Sequence, residues 1–293
     1  MRVRVPASSA NLGPGFDCFG IAWQLYDEIE FSLDAEGLEF AGCDEKYMNE
    51  KNLAYAAYRA VLERYGLKNE AVKITFCRSD IPISRGLGSS SALLVAGVMA
   101  ANELHGLNMS KNELFAIATT LEGHPDNVAP AIFGGLTASA MDGDRPLSAH
   151  FDISPKLRFT ALIPPFELST SESRSVLPHE VPRADAIFNV SRAALLLSAL
   201  GSGDVGLLRC SMADRLHEPY RIPLIKGFDI ARGLAYKCGA ISMCISGAGS
   251  TLLCVSQDEG FRGRIEEDLY KTLASWRAVD LKPELSGASV LDI

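Results

Sequence analysis

A glycine- and serine-rich segment at residues 82–92, PISRGLGSSSA, limits the possible folds of this chain more than any other stretch. Gly86 and Gly88 let the backbone turn tightly and approach a ligand without Cβ atoms in the way. The serines lead into an apolar helical stretch at 92–104, which Gly106 can end. Such a loop directs free N–H groups and the positive end of a helix at one point, which suits a polyphosphate. A serine-capped strand-to-helix turn without a ligand has the same composition, so the loop alone leaves both interpretations open.

Two common phosphate-binding patterns are excluded by the residues themselves. A Walker A loop ends in Gly-Lys-Ser/Thr, and no lysine lies between Lys73 and Lys111. The dinucleotide fingerprint requires a third glycine where Ser91 stands. What remains is a P-x-x-x-G-L-G-S-S-x-A pattern.

Size and charge limit the class of protein. A chain of 293 residues and 31.5 kDa, 47% hydrophobic, can hold two modest domains or one large one. Its net charge of −8 and pI near 5.2 argue against a general nucleic-acid surface. An acidic protein that handles phosphate must gather its cations locally or use Mg²⁺.

The cysteines and the apolar runs indicate a compartment. Seven cysteines occur without a C-x-x-C pair, which favours reduced thiols in the cytosol. The start, MRVRVPASSAN, has no apolar signal core, and the apolar run at 92–101 is too short to span a bilayer. The sequence therefore predicts a soluble cytoplasmic protein with no membrane partner.

Residue periodicity predicts mixed strands and helices. In the first half, strands at 2–6 and 29–33 flank a turn-rich segment at 11–17, and a strand at 72–76 leads into the glycine loop. Asn52 begins one helix, and Ser110 with Glu113 forms a capping box for another that ends at Glu122.

The second half continues this mixture. It contains helices at 186–200, 205–216, 228–237 and 261–276, strands at 158–164, 240–246, 251–255 and 276–281, and a loop at 169–174. A glycine turn at 247–249 joins two of the strands. Without a regular βαβ alternation, the pattern predicts an α+β fold, with a boundary near 141–150 that gives domains 1–145 and 146–293.

Four strings together carry a family resemblance: the loop at 82–92, PASSANLGPGFD at 6–17, EGHPDNVAPAIFGG at 122–135 and ISGAGSTLL at 245–253. They resemble the motifs of the GHMP kinases and, within that superfamily, are most similar to those of the homoserine kinases. The resemblance implies an N-terminal domain like domain 2 of ribosomal protein S5 and a ferredoxin-like C-terminal domain. It also implies ATP-dependent phosphorylation of the hydroxyl of L-homoserine to O-phospho-L-homoserine, a step towards threonine, by a homodimer.

The resemblance assigns the glycine loop to ATP and a glutamate to Mg²⁺. The ATP-binding residues are then Pro82, Ile83, Ser84, Arg85, Gly86, Leu87, Gly88, Ser89, Ser90, Ser91 and Ala92. Glu122 stands at the end of its helix, where the helix dipole does not favour a carboxylate, and the residues alone are compatible with a solvated glutamate. By resemblance, Ser90 and Glu122 hold the metal, and both offer the oxygen ligands that Mg²⁺ prefers.

A homoserine pocket needs an anion or amide for the ammonium group and arginine for the carboxylate. Asn11 and Asp17 lie in a glycine-rich segment that can project both side chains. Arg174 and Arg221 match arginines that bind the carboxylate in homoserine kinases, although each alone could be a surface side chain. Thr170 and Asn127 match further active-site positions of the homoserine kinases.

No general base is evident in the sequence. Other GHMP kinases have an aspartate where this chain has Asn127, and an amide cannot accept a proton at neutral pH; neighbouring Asp126 leaves that assignment open. The hypothesis is that Asp17, Asn127 and Arg174 act by positioning and charge neutralisation, with the proton passing to the γ-phosphate or solvent. For His124, a hydrogen bond that fixes the turn at 122–127 is favoured over a catalytic role.

Two other functions remain open at this point. A mevalonate or sugar kinase of the same superfamily would share the loop. Its acceptor lacks the ammonium group, or the amino-acid carboxylate beside it, so a substrate-binding set comprising Asn11, Asp17, Arg174 and Arg221 would have no evident role. A nucleotide-binding regulatory protein without activity is disfavoured by the intact Ser90 and Glu122. The third motif departs from the family at Ser250, where proline is common, and its glycine turn could contact the phosphate loop or form only a hairpin.

Overall fold

The computed structural model describes residues 1–68 and 70–291 and has two β-sheets with helices packed against them. The strands of the first sheet are β1 (Arg2–Ala10), β2 (Phe19–Ser32), β3 (Leu38–Ala41), β4 (Val72–Ser79), β5 (Leu136–Asp142), β6 (Arg145–Phe151) and β11 (Ser289–Leu291). Those of the second are β7 (Arg158–Ile163), β8 (Ser242–Ile245), β9 (Leu252–Ser256) and β10 (Arg277–Leu281). The predicted α+β class is confirmed.

The long β1–β2 hairpin organises the first sheet. Its strand order is β11-β1-β2-β4-β3, and β5 pairs with both β2 and β6. In the described chain only β3 and β4 run parallel; the other pairs are antiparallel. Residues 11–18 connect β1 to β2, and Asn11, Leu12 and Asp17 have positive φ there. The hairpin therefore has a tight, irregular tip where β1 ends and β2 begins.

The helices of the first half begin where the sequence places good caps. They are α1 (Leu53–Arg64), α2 (Ser89–Leu104), α3 (Lys111–Glu122) and α4 (Val128–Phe133). Asn52 caps α1, and the predicted capping box of Ser110 with Glu113 is present at α3. The prediction for α2 was wrong by three residues: its N-cap is Gly88, with φ 74°, and the three serines form its first turn. Only a residue that tolerates left-handed backbone lets the helix begin so early.

The second sheet confirms the expected ferredoxin-like arrangement. Its strand order is β10-β7-β9-β8, entirely antiparallel, in a β-α-β-β-α-β sequence when the helices between β7 and β8 count as one layer. The helices of this half are α5 (Thr170–Ser175), α6 (Arg183–Ser202), α7 (Val205–Ser211), α8 (Glu218–Arg221), α9 (Phe228–Lys237) and α10 (Phe261–Thr272). Residues 169–174, expected as a loop, instead include α5, because the Ser169 side chain accepts the N–H of Glu172 and caps it.

One of the two clusters of buried hydrophobic residues extends through both halves of the chain. The rings of Trp23 in β2 and Phe159 in β7 lie 5.1 Å apart, and one cluster of buried hydrophobic residues includes side chains of both sheets. Both β6 and the C-terminal β11 belong to the first sheet. The division into domains 1–145 and 146–293 stays a prediction, and strand pairing shows that the chain changes sheets after Phe151 and returns before Ser289.

One described helix, α6, is long and apolar enough by length and composition to cross a membrane. Only 22% of its most apolar window is buried. Asn189 on the inner face is buried and donates hydrogen bonds to Asp214 at 2.6 Å and to the Pro14 carbonyl at 3.2 Å. One face of α6 therefore packs against the protein and the other is exposed.

Candidate active site

Six separate segments of the chain meet around one small cavity of about 90 Å³. They are the hairpin tip, the glycine loop, the turn after α3, the start of α5, the end of α8 and the glycine turn between β8 and β9. The cavity brings together these predicted residues: Asn11, Asp17, Ser84, Gly86, Gly88, Ser89, Ser90, Glu122, Asn127, Thr170, Arg174 and Arg221. Most of the residues expected to hold nucleotide, metal and substrate therefore face a common space.

The glycine loop is held between β1 and the β8–β9 turn. The Ser8 N–H donates to the Leu87 carbonyl at 3.1 Å, and the Thr251 N–H donates to the Arg85 carbonyl at 3.2 Å. Ser246 Oγ donates to the Gly86 carbonyl at 2.6 Å. These contacts occupy carbonyls and leave the N-terminus of α2 facing the cavity. Of the two alternatives for the turn at 247–249, the structure therefore favours contact with the loop.

Glu122 ends α3 and faces the first turn of α2. Its Oε2 accepts from Ser90 Oγ at 2.8 Å and its Oε1 from Ser91 Oγ at 2.7 Å. Among residues 1–68 and 70–291 it forms no salt bridge, and no cluster of three histidine, cysteine or acidic side chains is arranged for a metal. One carboxylate and one hydroxyl beside the glycine loop form a small oxygen donor set that fits Mg²⁺, which keeps phosphate and water among its ligands.

The hairpin tip and α5 are joined by a two-bonded ion pair. Arg174 Nη2 donates to Asp17 Oδ1 at 2.7 Å, and Nη1 donates to Oδ2 at 3.1 Å. Asn11 holds Asp17 in place, since its Oδ1 accepts the Asp17 N–H at 2.9 Å while its Nδ2 donates to the Gly247 carbonyl at 2.8 Å. Both groups of the pair are partly exposed and line the cavity, so they are available to a charged ligand.

Arg221 reaches the same cavity from α8 and is buried, with 1% of its surface exposed. Its Nε donates to the Ser173 carbonyl at 3.3 Å, and its Nη1 donates to the Gly247 carbonyl at 3.2 Å and to His217 Nδ1 at 3.1 Å. Burial, and then the charge of Arg174, lower the pKa of Arg221 to about 10, against the opposing effect of Asp17. The guanidinium is still positively charged at neutral pH.

The turn after α3 carries two neighbouring polar residues, Asp126 and Asn127, which both line the cavity but have different hydrogen-bond partners. Asp126 is buried and its Oδ1 accepts from His124 Nδ1 at 2.8 Å and from the Asn127 N–H at 2.9 Å. Asn127 Oδ1 accepts from Ser8 Oγ at 2.9 Å. Burial lowers the pKa of His124, but the hydrogen bond and charge of Asp126, with the charge of Glu122, outweigh it and the net shift is upward. His124 thus holds the turn, as expected, and also lines the cavity.

A second, larger cavity of about 610 Å³ adjoins the loop on its other side. Pro82, Ile83 and Arg85 line it, while Ser84, Ser89 and Ser90 line both cavities. Its walls also include the apolar or aromatic side chains of Tyr47, Leu53, Phe76 and Leu93. The remaining loop residues, Leu87, Ser91 and Ala92, are buried and line neither cavity.

Several residues at the site were missed by the sequence analysis. They are Ser8, Leu168, His217 and Ser246 around the smaller cavity and Tyr47, Leu53, Phe76 and Leu93 around the larger one. Ser8 and Ser246 lie inside two of the four motif strings, so the motifs contained them without a role. Leu53, Leu93 and Phe76 are ordinary amphipathic positions of α1, α2 and β4, and Tyr47 ends a short 3-10 turn before α1. Nothing in their spacing indicates a cavity.

Comparison with known families places both halves of the chain. Residues 52–135 match the model "GHMP kinases N terminal domain", and residues 196–274 match "GHMP kinases C terminal". Among solved structures, homoserine kinase from Cytophaga hutchinsonii superposes with a TM-score of 0.87 at 28% identity, covering 99% of this chain and 97% of that one. L. major mevalonate kinase, at 15% identity and a TM-score of 0.74, shows the same fold over 98% of this chain and 97% of its own.

Curated relatives match over almost the whole length. Homoserine kinase of Clostridium beijerinckii is 40% identical over 292 residues, which is 99% of this chain and 98% of that protein. Homoserine kinase of Clostridium botulinum is 42% identical with the same coverage. From the two family models and the full-length relatives, the chain belongs to the GHMP kinases and, within them, to the homoserine kinase family.

Proposed function

We propose that this protein transfers the γ-phosphoryl group of ATP to the hydroxyl of L-homoserine. The observation that carries the proposal is the single small cavity in which Arg174 and Arg221, Asn11 and Asp17 face the N-terminus of α2. Two arginines suit a carboxylate, and an amide with a carboxylate suits an ammonium group. The product, O-phospho-L-homoserine, is a precursor in threonine biosynthesis. Relatives named homoserine kinase along the full chain support the same substrate.

The internal ion pair has the same charges as an amino acid. In the free protein Asp17 binds Arg174, so a zwitterionic substrate can replace each partner with its own group of like charge. The carboxylate then binds Arg174 and Arg221, and the ammonium binds Asp17. Because the two new contacts replace the old one, desolvated charges are not left unpaired. Thr170, at the exposed start of α5, borders this position.

ATP fits the loop and its two cavities. We place the phosphates at the N-terminus of α2, where N–H groups and the helix dipole favour anions, and the base in the larger cavity, whose walls are partly aromatic. The acceptor hydroxyl then lies near Asn127 and the γ-phosphate. Positioning and electrostatic stabilisation by Arg174, Asn127 and Asp17 supply the catalysis, since phosphoryl transfer requires little covalent chemistry from the protein.

We also propose that Ser90 and Glu122 hold Mg²⁺. Glu122 has no cationic partner in the described chain, and a bare carboxylate beside a triphosphate would repel it. When bound, the ion neutralises charge on the phosphates. Ser90 Oγ already lies 2.8 Å from the carboxylate, so both oxygens can be ligands of one ion.

The test is a coupled ADP-release assay with homoserine, serine, threonine, mevalonate and galactose offered in parallel, with and without Mg²⁺. We expect magnesium-dependent turnover with a kcat/KM for homoserine at least about tenfold above the other four, a difference of roughly 1.4 kcal/mol in transition-state binding. Turnover restricted to mevalonate or galactose would move the assignment to another GHMP kinase. Silence with all five acceptors would instead support a nucleotide-binding regulatory protein.

A cytoplasmic homodimer completes the proposal. The exposed face of α6 includes Ile187 and Val190, with 61% and 73% of their surfaces exposed. Apolar side chains of this size on one helix face favour an interface over contact with water. The free cysteines of the described chain are compatible with a reducing compartment.

A further inference from the structure

His217 connects the two groups of residues that we assign to the ends of the substrate. It is fully buried just before α8 and is not exposed to the cavity. On one side its Nδ1 accepts from Arg221 Nη1 at 3.1 Å. On the other its Nε2 lies 2.9 Å from the Gly13 carbonyl in the hairpin tip, and its ring stacks on Phe16 at 5.2 Å.

The neighbours of the ring specify its tautomer. The Arg221 guanidinium can only donate, so Nδ1 must accept; the Gly13 carbonyl can only accept, so Nε2 must donate. A single neutral tautomer satisfies both contacts. Burial lowers the pKa of His217, Asp214 opposes this shift, and Arg221 adds to it. The charged groups that face the ring are therefore Asp214, whose Oδ2 is 3.8 Å from Nε2, and Arg221, with Asp17 farther away.

This arrangement leaves the charge of Arg221 uncompensated by its partners. Nε and both N–H groups of Nη1 are used by two carbonyls and a neutral imidazole. Among the residues that the structure describes, Nη2 has no hydrogen-bond partner, and Arg221 lines the cavity. Arg174 differs, because both of its terminal nitrogens bind the Asp17 carboxylate.

Asp214 fixes the backbone at the start of α8, next to His217. Its Oδ2 accepts the N–H groups of Leu216, His217 and Glu218 at 3.1, 2.8 and 2.8 Å, and its Oδ1 accepts from Asn189. The short helix α8 therefore has a fixed start. His217 then transmits that position to Arg221, four residues further along, and to the hairpin tip, more than 200 residues away in sequence.

We infer that His217 is a positioning residue for substrate recognition, which as a neutral acceptor directs Arg221 Nη2 at the carboxylate of the acceptor amino acid and keeps the hairpin tip at the matching distance. The inference rests on the proposed function, because it assumes that Arg221 binds that carboxylate. In this role His217 does not itself contact the substrate; it acts through Arg221 and the hairpin tip. Its loss should affect recognition of the carboxylate and leave nucleotide binding unaffected.

Two substitutions separate the two contacts of the ring. In His217→Asn the amide oxygen can take the place of Nδ1 and accept from Arg221, but the link to Gly13 is lost. In His217→Gln the longer amide can reach Gly13, but no acceptor remains at the Nδ1 position for Arg221. Because both introduce a neutral amide at one buried place, they are matched controls for each other.

The readout compares homoserine with 3-aminopropanol, which has the same ammonium and hydroxyl groups and no carboxylate, as a substrate or as a competitive inhibitor. We expect His217→Gln to raise the KM for homoserine about tenfold or more, with kcat within about threefold and the KM for ATP within about twofold. Its preference for homoserine over 3-aminopropanol should fall by the same factor. His217→Asn should keep most of that preference.

Several outcomes would overturn the inference. Equal losses on both acceptors in both variants, in parallel with a lower urea midpoint, would show a purely structural role. An unchanged KM for homoserine in His217→Gln would show that Arg221 needs no help. A wild-type protein that does not phosphorylate homoserine would contradict the proposed function itself, which the same assay reveals before any variant is measured.

Discussion

Adjacent acidic and amide side chains at 126 and 127 raise the question of which one, if either, handles the acceptor proton. The Asp126 carboxylate accepts from the His124 ring and from the Asn127 backbone. Asn127 has its amide oxygen on Ser8, next to Gly88 of the loop. A general base must be within hydrogen-bond reach of the proton that it removes and free to accept it. Asp126 is already engaged at one oxygen by two donors, which favours a structural role.

We therefore expect Asp126→Asn to retain at least about a tenth of the wild-type kcat and to keep the low-pH limb of its pH profile. An amide oxygen has two lone pairs and can still accept from the Asn127 N–H and from the His124 ring, so the turn is kept without the charge of Asp126. Asp17→Asn and Arg174→Ala should each lower kcat/KM by about a hundredfold or more, because each leaves a charged partner unpaired. Steady-state kinetics with homoserine between pH 5 and 9 provides the measurement.

The alternative gives a different pattern. If Asp126 is the base, its amide variant should lose activity far more than Asp17→Asn, and the low-pH limb of the profile should disappear because no carboxylate remains to be protonated. Whichever group handles the proton, the pKa of His124 should fall in Asp126→Asn, since the effect of burial would no longer be opposed by the charge of Asp126. An NMR titration of the His124 ring therefore confirms independently that the pair has been broken.

At the scale of elements, helix α2 has a left-handed glycine near each end with different surroundings. Gly88, its N-cap, has φ 74°, and a Cβ there would overlap Ser8 Oγ. Gly106, just beyond its C-terminus, has φ 60° and no other atom within 4 Å of such a Cβ. Both positions disfavour a side chain by similar backbone strain, but only Gly88 lies where β1 and the glycine loop touch.

The two left-handed glycines of α2 allow a controlled experiment. Gly88→Ala and Gly106→Ala should each reduce the free energy of unfolding by about 1 kcal/mol through the left-handed backbone. Gly88→Ala should also displace Ser8 and raise the KM for ATP about tenfold, whereas Gly106→Ala should leave it within about twofold. Urea denaturation and ATP titration of both variants give the two numbers. Equal KM values for ATP in the two variants would refute a role of the contact between Gly88 and Ser8 in nucleotide binding.

The sequence predicted elements best where a local side chain fixes an end. Asn52 at α1 and the Ser110–Glu113 box at α3 are satisfied by residues two or three positions away, so a single sequence shows them. The start of α2 was displaced because its N-cap is a glycine without a side-chain bond, supported by distant neighbours. Strand β11 was missed for the same reason, since three residues pair with β1 from the far end of the chain.

At the scale of the whole molecule, the cavity exists because parts distant in sequence bind one another. Asn11 donates to the Gly247 carbonyl, the Gly247 N–H donates to the Ala10 carbonyl, and Ser246 Oγ bonds to Ser9 Oγ and to the Gly86 carbonyl. Motif resemblance gave the residues that line this cavity but not these contacts. His217 shows the limit most clearly, because its partners Gly13 and Arg221 are specified only once both halves are folded.

The exposed face of α6 is the remaining large-scale feature, and it favours a second copy of the chain as its partner. Between 184 and 198 its exposed positions are all uncharged: Ala184, Ile187, Val190, Ser191, Ala194, Leu195 and Ser198. A solvent-facing helix surface is ordinarily rich in charged residues. Pairing of two such faces would bury the apolar side chains and leave the active-site cavity, at the other elements, accessible.

We expect light scattering to give a mass near twice 31.5 kDa for the wild type and near the monomer value for Val190→Asp, because a buried, unpaired carboxylate strongly disfavours an interface. Leu285→Asp is the matched control: Leu285 is 72% exposed and Val190 is 73% exposed, but Leu285 lies outside α6. That variant should remain dimeric. A monomeric wild type at micromolar concentration, or dissociation by both substitutions alike, would contradict an interface on α6 and leave its apolar face in need of another partner.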